Sequence, residues 1–232
     1  MTGRFFKQAG VSAGEGGFAV TLDARPLKTP AKAPFRVPSR NLAEVAAAEW
    51  NAQADTIKPE TMPITRLINV ALDHTPRARA KMTAQIGKFA ETDLLCHRAK
   101  KPAALVERQA RLWDPLLAWA DTHLEASLIA APGVLPHGQP EGALTALAAR
   151  AAALDDFRLT GLAHAAGLAG SAVVAFALAE QQIAGPEAFE AASLDDLFQL
   201  ETWGEDAEAR QRLNNQKAEY AALERFFASL IS

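Results

Sequence analysis

Two prolines four residues apart, Pro59 and Pro63, bracket the segment Ile57 to Pro63, so no continuous helix can run through it. The apolar pattern changes character across this break. Before it, Phe18, Val20 and Leu22 alternate with Ala19 and Thr21, and Asp23-Ala24-Arg25-Pro26 supplies turn chemistry ahead of Leu27-Lys28-Thr29, which predicts a hairpin. Phe35-Arg36-Val37, set between prolines, reads as a short edge strand. The glycine-rich GEGG at 14–17 lacks the spacing of a phosphate loop and reads as a turn leading into a strand. Ser39 then caps a predicted helix over 40–54, in which Trp50 is expected to anchor the helix on the strands.

Beyond the break every segment has helical periodicity, punctuated by Pro and Gly. The spacing predicts helices over 63–72, from Thr75-Pro76 to His97, and over 105–123 with a start or kink at Asp114-Pro115. A loop over 131–142 precedes helices over 141–154, 157–168 and 171–183, and a long amphipathic helix over 206–230 ends the chain. The small-residue run Leu159 to Ala179 reads as the packing centre, with a ligand pocket as its functional rival. The fold class is therefore α+β: a small β-rich N-terminal domain with one helix, residues 1–60, followed by a larger all-helical domain, residues 61–232.

Composition narrows function by exclusion. With 49% hydrophobic residues, 22% charged and a net charge of −3, the chain suits a globular domain and has no bias toward nucleic acid or an anionic membrane. Its longest apolar run, Leu168 to Ala179, falls short of the ~20 residues a spanning helix needs, so no membrane insertion is expected. The single cysteine, Cys96, precludes an internal disulfide, fits a reducing compartment and reads as a small buried hydrophobe. His74, His97, His123, His137 and His164 are scattered without metal-ligand spacing, and no catalytic elbow, Walker lysine or paired acid/base is present. The expectation is no catalytic, cofactor or metal site. The basic run His97 to Lys101 reads as a charge complement at a helix C-terminus.

One stretch stands apart. In Ser193 to Glu208, Leu194, Leu197, Phe198 and Leu200 fall on a face that can bury, Asp195, Asp196 and Glu201 fall off it, and Trp203-Gly204 ends the pattern. Glu205, Asp206 and Glu208 then open the next helix, and the stretch holds no basic residue. Solvated carboxylates with capping, and Trp203 as a core residue, are one reading; a docking surface is the other.

Several segments together resemble a known family. RFFK at 4–7, FAVTLDARPLKTP at 18–30, VPSRNLAEVAAAEWNAQ at 37–53, PETMPITRL at 59–67, ETDLLCHRA at 91–99, FRLTGL at 157–162 and WGEDAEA at 203–209 resemble, in order, the assembly chaperones of the F1-ATPase α subunit. The resemblance implies a non-enzymatic protein that binds free α, prevents its aggregation and hands it on for assembly with β. It also implies the two-part fold argued above. Family importance attaches to acidic positions near the C-terminus, whose nearest matches here are Glu201, Glu205, Asp206 and Glu208; with Trp203, Asp195 and Asp196 they form the expected partner-binding set. The family occurs in mitochondria, where the matrix is its compartment, and in α-proteobacteria; without a visible presequence this chain is expected to be bacterial, cytoplasmic and monomeric. Two rivals stand beside it: a generic adaptor using the same acidic helix, and a carboxylate-dependent hydrolase.

Overall fold

A computed structural model describes residues 3–133, 138–204 and 206–231. Strand β1 (Ala9–Gly14) pairs antiparallel with β2 (Gly17–Leu22), and β2 is the central strand, flanked on its other edge by β3 (Arg25–Pro26) and β4 (Arg36–Val37). Asp23 and Ala24 both have positive φ, 47° and 67°, the mirror-image turn that matches the twist of a two-residue hairpin. Arg25-Pro26 thus belongs to the returning strand and not to the turn. The GEGG segment closes the β1–β2 hairpin, and a Cβ at Gly17 would lie 2.4 Å from the carbonyl oxygen of Val37, so glycine is what lets β4 reach the sheet.

Helix α1 (Arg40–Asn51) lays Leu42, Ala43, Ala46 and Ala47 on this sheet. Its termini are tied at both ends. Ser39 Oγ accepts from the amide of Leu42 at 3.1 Å and donates to the carbonyl of Ser229, and the Asn51 amide pairs with both backbone groups of Ala9 on the edge strand. Trp50 stands edge-on to Phe6, ring centres 5.7 Å apart, and so packs between α1 and the N-terminal segment as expected. Next to it, Glu49 projects to the start of α2 (Pro63–Asp73), where Oε1 accepts from Ile64 N and Oε2 from Thr65 N, both at 2.8 Å. Burial raises the Glu49 carboxyl above its usual range, against those two bonds, which pull it down.

Among the described residues eight further α-helices follow: α3 (Thr75–Glu91), α4 (Ala103–Leu124), α5 (Glu141–Ala153), α6 (Asp156–Ala169), α7 (Ala172–Ala179), α8 (Gly185–Ala192), α9 (Leu194–Trp203) and α10 (Ala207–Ser229). The run from 159 to 179 is the packing centre. Every residue of α7 from Ala172 to Leu178 is buried, and a Cβ at Gly161 would meet the Phe227 ring at 2.7 Å, so α6 and α10 touch through that glycine. Leu213, Tyr220, Leu223, Phe227 and Leu230 form the buried stripe of α10.

Several expectations need correction. The helix expected to reach His97 stops at Glu91; a 3-10 turn over Leu94–Cys96 and strand β5 (His97–Arg98), paired in parallel with β6 (Ala131–Pro132), follow it. The basic run is accordingly no helix C-terminal complement: Arg98 binds the Leu95 carbonyl and pairs with Asp114 at 2.7 Å. Of the start and the kink expected at Asp114-Pro115, the start is excluded, since α4 runs through Pro115. Helix α7 ends early because Gln181 takes a left-handed φ of 58°. Helix α8, between Gly185-Pro186 and the acidic stretch, has no counterpart in the sequence reading. The 131–142 loop lies partly, and His137 wholly, outside the described residues.

The helix that falls short leaves room for Asp93, which is fully buried. Its Oδ1 accepts from Leu95 N at 3.1 Å and Ser171 Oγ at 2.7 Å, and Oδ2 from Val173 N at 3.1 Å, so a carboxyl from the α3–α4 connection caps α7. Cys96 beside it is buried, and burial pushes its thiol up to about 12, leaving it inert.

Two outcomes follow. Trp50→Arg places a cation among Phe6 and the α1 core and should cost about 2–4 kcal/mol, whereas Trp50→Phe, which removes an enclosed indole N–H without a partner, should cost roughly 1 kcal/mol; chemical denaturation measures both, and an unchanged midpoint for the arginine variant would refute the packing. Burial lifts the Asp93 carboxyl from 3.8 to about 6, so the folded state holds this proton more tightly than the unfolded chain does. Its contribution to stability is full below 3.8 and is lost as pH rises through about 6. The gap in melting temperature between the parent and Asp93→Asn should therefore narrow over that window, and a gap independent of pH would show a carboxylate ionised throughout.

Candidate functional site

Helix α9 is only partly docked on the protein. Leu194 is buried, but Leu197, Phe198 and Leu200, expected to bury with it, are half-exposed. What holds the helix is polar. Arg108 of α4 forms a fork with Glu201, Nη1 to Oε2 at 2.6 Å and Nη2 to Oε1 at 3.0 Å. The next residue of α4, buried Gln109, donates to Asp195 Oδ1 at 2.8 Å while its own side-chain carbonyl accepts from Ala99 N at 2.8 Å. On the opposite flank, Asp196 pairs with Arg212 of α10 at 2.9 Å. The fork holds the Glu201 carboxyl below, and the Arg108 guanidinium above, the usual range, through the hydrogen bonds between them.

The acidic stretch is therefore less bare than its sequence suggests. Glu201, Asp195 and Asp196 each meet a partner from another element, supplied by residues 93, 86 and 16 positions away in the chain. Sequence reasoning missed Arg108, Gln109 and Arg212, because nothing local links α4 to α9. The other predicted residues cluster at the tip. Gly204, with φ of 98°, ends α9, and Asp206 caps α10 by accepting from Glu208 N at 3.1 Å. Glu205 lies outside the described residues. Trp203 is 85% exposed, the most exposed large hydrophobic residue among those described, which corrects its reading as core.

Between α9 and α10 lies a groove of about 340 Å³ with Phe189, Leu197, Leu200 and Leu213 along its floor and Glu201, Arg210, Asn214 and Lys217 on its walls. An apolar groove of this kind, and an exposed indole at the end of one of its helices, can each bind a protein surface. The groove holds no nucleophile poised against a base. Among the described residues no cluster of His, Cys, Asp and Glu could hold a metal ion, and no helix is long and apolar enough to cross a membrane. Asp93, which is buried, and Glu49, which is half-buried, cap helices.

Replacing Trp203 by Ala removes an exposed side chain and should leave the melting temperature within about 1 °C of the parent. A drop of several degrees would mean that the indole packs against the protein.

Comparison with known proteins places these features. The sequence pattern of the ATP12 chaperone protein family matches residues 3–121. The mitochondrial protein atp12 of Schizosaccharomyces pombe is 24% identical over 238 residues, spanning 96% of this chain and 82% of that protein. The crystal structure of Atp12 from Paracoccus denitrificans superposes with a TM-score of 0.91 at 41% identity, covering 98% of both chains. A variant of that protein with an aspartate replaced by lysine superposes with a TM-score of 0.92 at 39% identity, covering 98% of this chain and 97% of the other.

Proposed function

The chain belongs to the ATP12 chaperone protein family, and from that premise we propose that it binds the free α subunit of the catalytic sector of ATP synthase, keeps it from aggregating and passes it on for assembly with β. As a member of a chaperone family it is not an enzyme. The observation that carries the binding reading is the exposed Trp203 at the tip of a half-docked helix hairpin, flanked by Asp206 and Glu208. An orphan subunit presents surface that its finished complex would bury, and such surface aggregates. A holder built on one aromatic anchor and a polar rim covers part of it at moderate affinity and can be displaced.

The partner-binding set divides by role under this reading. Trp203, Glu205, Asp206 and Glu208 meet the subunit, whereas Glu201, Asp195 and Asp196 hold α9 in place through Arg108, Gln109 and Arg212. We further propose that the protein acts as a monomer in the bacterial cytoplasm, and that the chain divides near residue 60. The four-stranded sheet, which lies wholly before Pro59, supports that division.

The test uses purified α subunit and the triple variant Glu205→Gln, Asp206→Asn, Glu208→Gln, in which asparagine keeps the α10 cap. Removing rim charge acts chiefly on the association rate. The parent should capture α more slowly as salt rises, and the variant should be slower than the parent at low salt, less sensitive to salt and unchanged in melting temperature. A variant that melts earlier yet protects α as well as the parent would show that these carboxylates only cap helices.

A further inference from the structure

Leu197 and Leu200 on α9 and Leu213 on α10 are the residues with which a helical hairpin ordinarily closes its own seam. Here the seam stays open along these leucines: the Arg108 fork and the Gln109 amide fasten α9 to α4, an exposed Asp196–Arg212 pair links it to α10, and a groove of about 340 Å³ remains between the hairpin's arms. We propose that this groove receives an amphipathic helix of the client subunit, an apolar side chain entering between Leu200 and Leu213 and a carboxylate meeting Lys217. The inference rests on the reading that the protein binds α.

Three observations select that occupant. Both walls are α-helices whose backbone groups are spent on their own ladders, so no strand edge exists for an extended peptide, and the guest must satisfy its own backbone as a helix does. The floor is apolar: Phe189, packed edge-on against Tyr220 at 6.2 Å between ring centres, together with the three leucines. The charge on the walls favours an acidic guest. Glu201 is neutralised by Arg108, while Lys217 is exposed and has no partner among the described residues. Arg108 is accordingly a positioning residue, which acts through α9.

The experiment measures binding of purified α subunit to the parent protein and to three groove variants. Asn214→Trp fills the groove from an exposed wall position and should weaken binding at least tenfold, mainly through faster dissociation, with the melting temperature unchanged. Leu200→Gln should act in the same direction. Lys217→Glu should weaken binding most at low salt, the reverse of the parent's response at this position. Hydrogen exchange on α should show one helical segment protected by the parent and unprotected by Asn214→Trp. A folded Asn214→Trp that binds α within twofold of the parent overturns the groove while leaving the function proposal standing, and a parent that fails to bind α overturns both. Protection of a strand in place of a helix overturns the proposed occupant. So does a parent that sediments as a dimer while Asn214→Trp sediments as a monomer, because the groove would then be filled by a second copy.

Discussion

The carboxylate of Glu49, set against the amides of Ile64 and Thr65, is the joint on which the arrangement of the chain turns. A helix start leaves amide groups without partners, and Pro63 at the first position of α2 removes only one of them. Glu49 satisfies two more from α1, so the helix lying on the sheet and the first helix after the break are fixed by the same side chain. Burial works against the charge, and the two amide bonds favour it. Asp93 repeats the device at the start of α7, and Ser39 binds α1 to the last turn of α10. Three ties between distant stretches thus set the helices around one continuous apolar core.

Much of this was legible in sequence. Alternation over Phe18 to Leu22, turn residues at Asp23-Ala24 and the stripe ending in Phe227 and Leu230 are local signals, and each corresponds to an element found. The errors share a different physics. Residues 92–97 lie within helix-compatible composition, but Asp93 is worth more as a buried cap for α7 than as a helical residue, and that exchange depends on Ser171, 78 positions away. The charge of the α9 stretch was read correctly and its state was not: the cations that neutralise it come from α4 and α10. Trp203 shows the same limit, since nothing in its neighbours says that α9 ends beyond the core.

The hairpin contrasts with its surroundings. Helix α7 is apolar all round and enclosed, as a core helix must be, whereas α9 is secured by charges at its margins and keeps its leucines half-exposed. Closing the seam would bury those leucines, and the fork to α4 opposes it. Membership of a chaperone family gives that arrangement a use, because apolar surface kept available on a stable scaffold is what a protein that holds others requires.

Helix α10 has two fates along its length. Its first three turns form one arm of the hairpin, and from Tyr220 onward it supplies Leu223, Phe226, Phe227 and Leu230 to the core and receives Ser39 at Ser229. The arm of the hairpin therefore stands on the same helix that fills the core, and it has a fixed base only while that half of α10 is packed. Local opening of that half would release the arm as well, so the groove has no stability separate from that of the core beneath it.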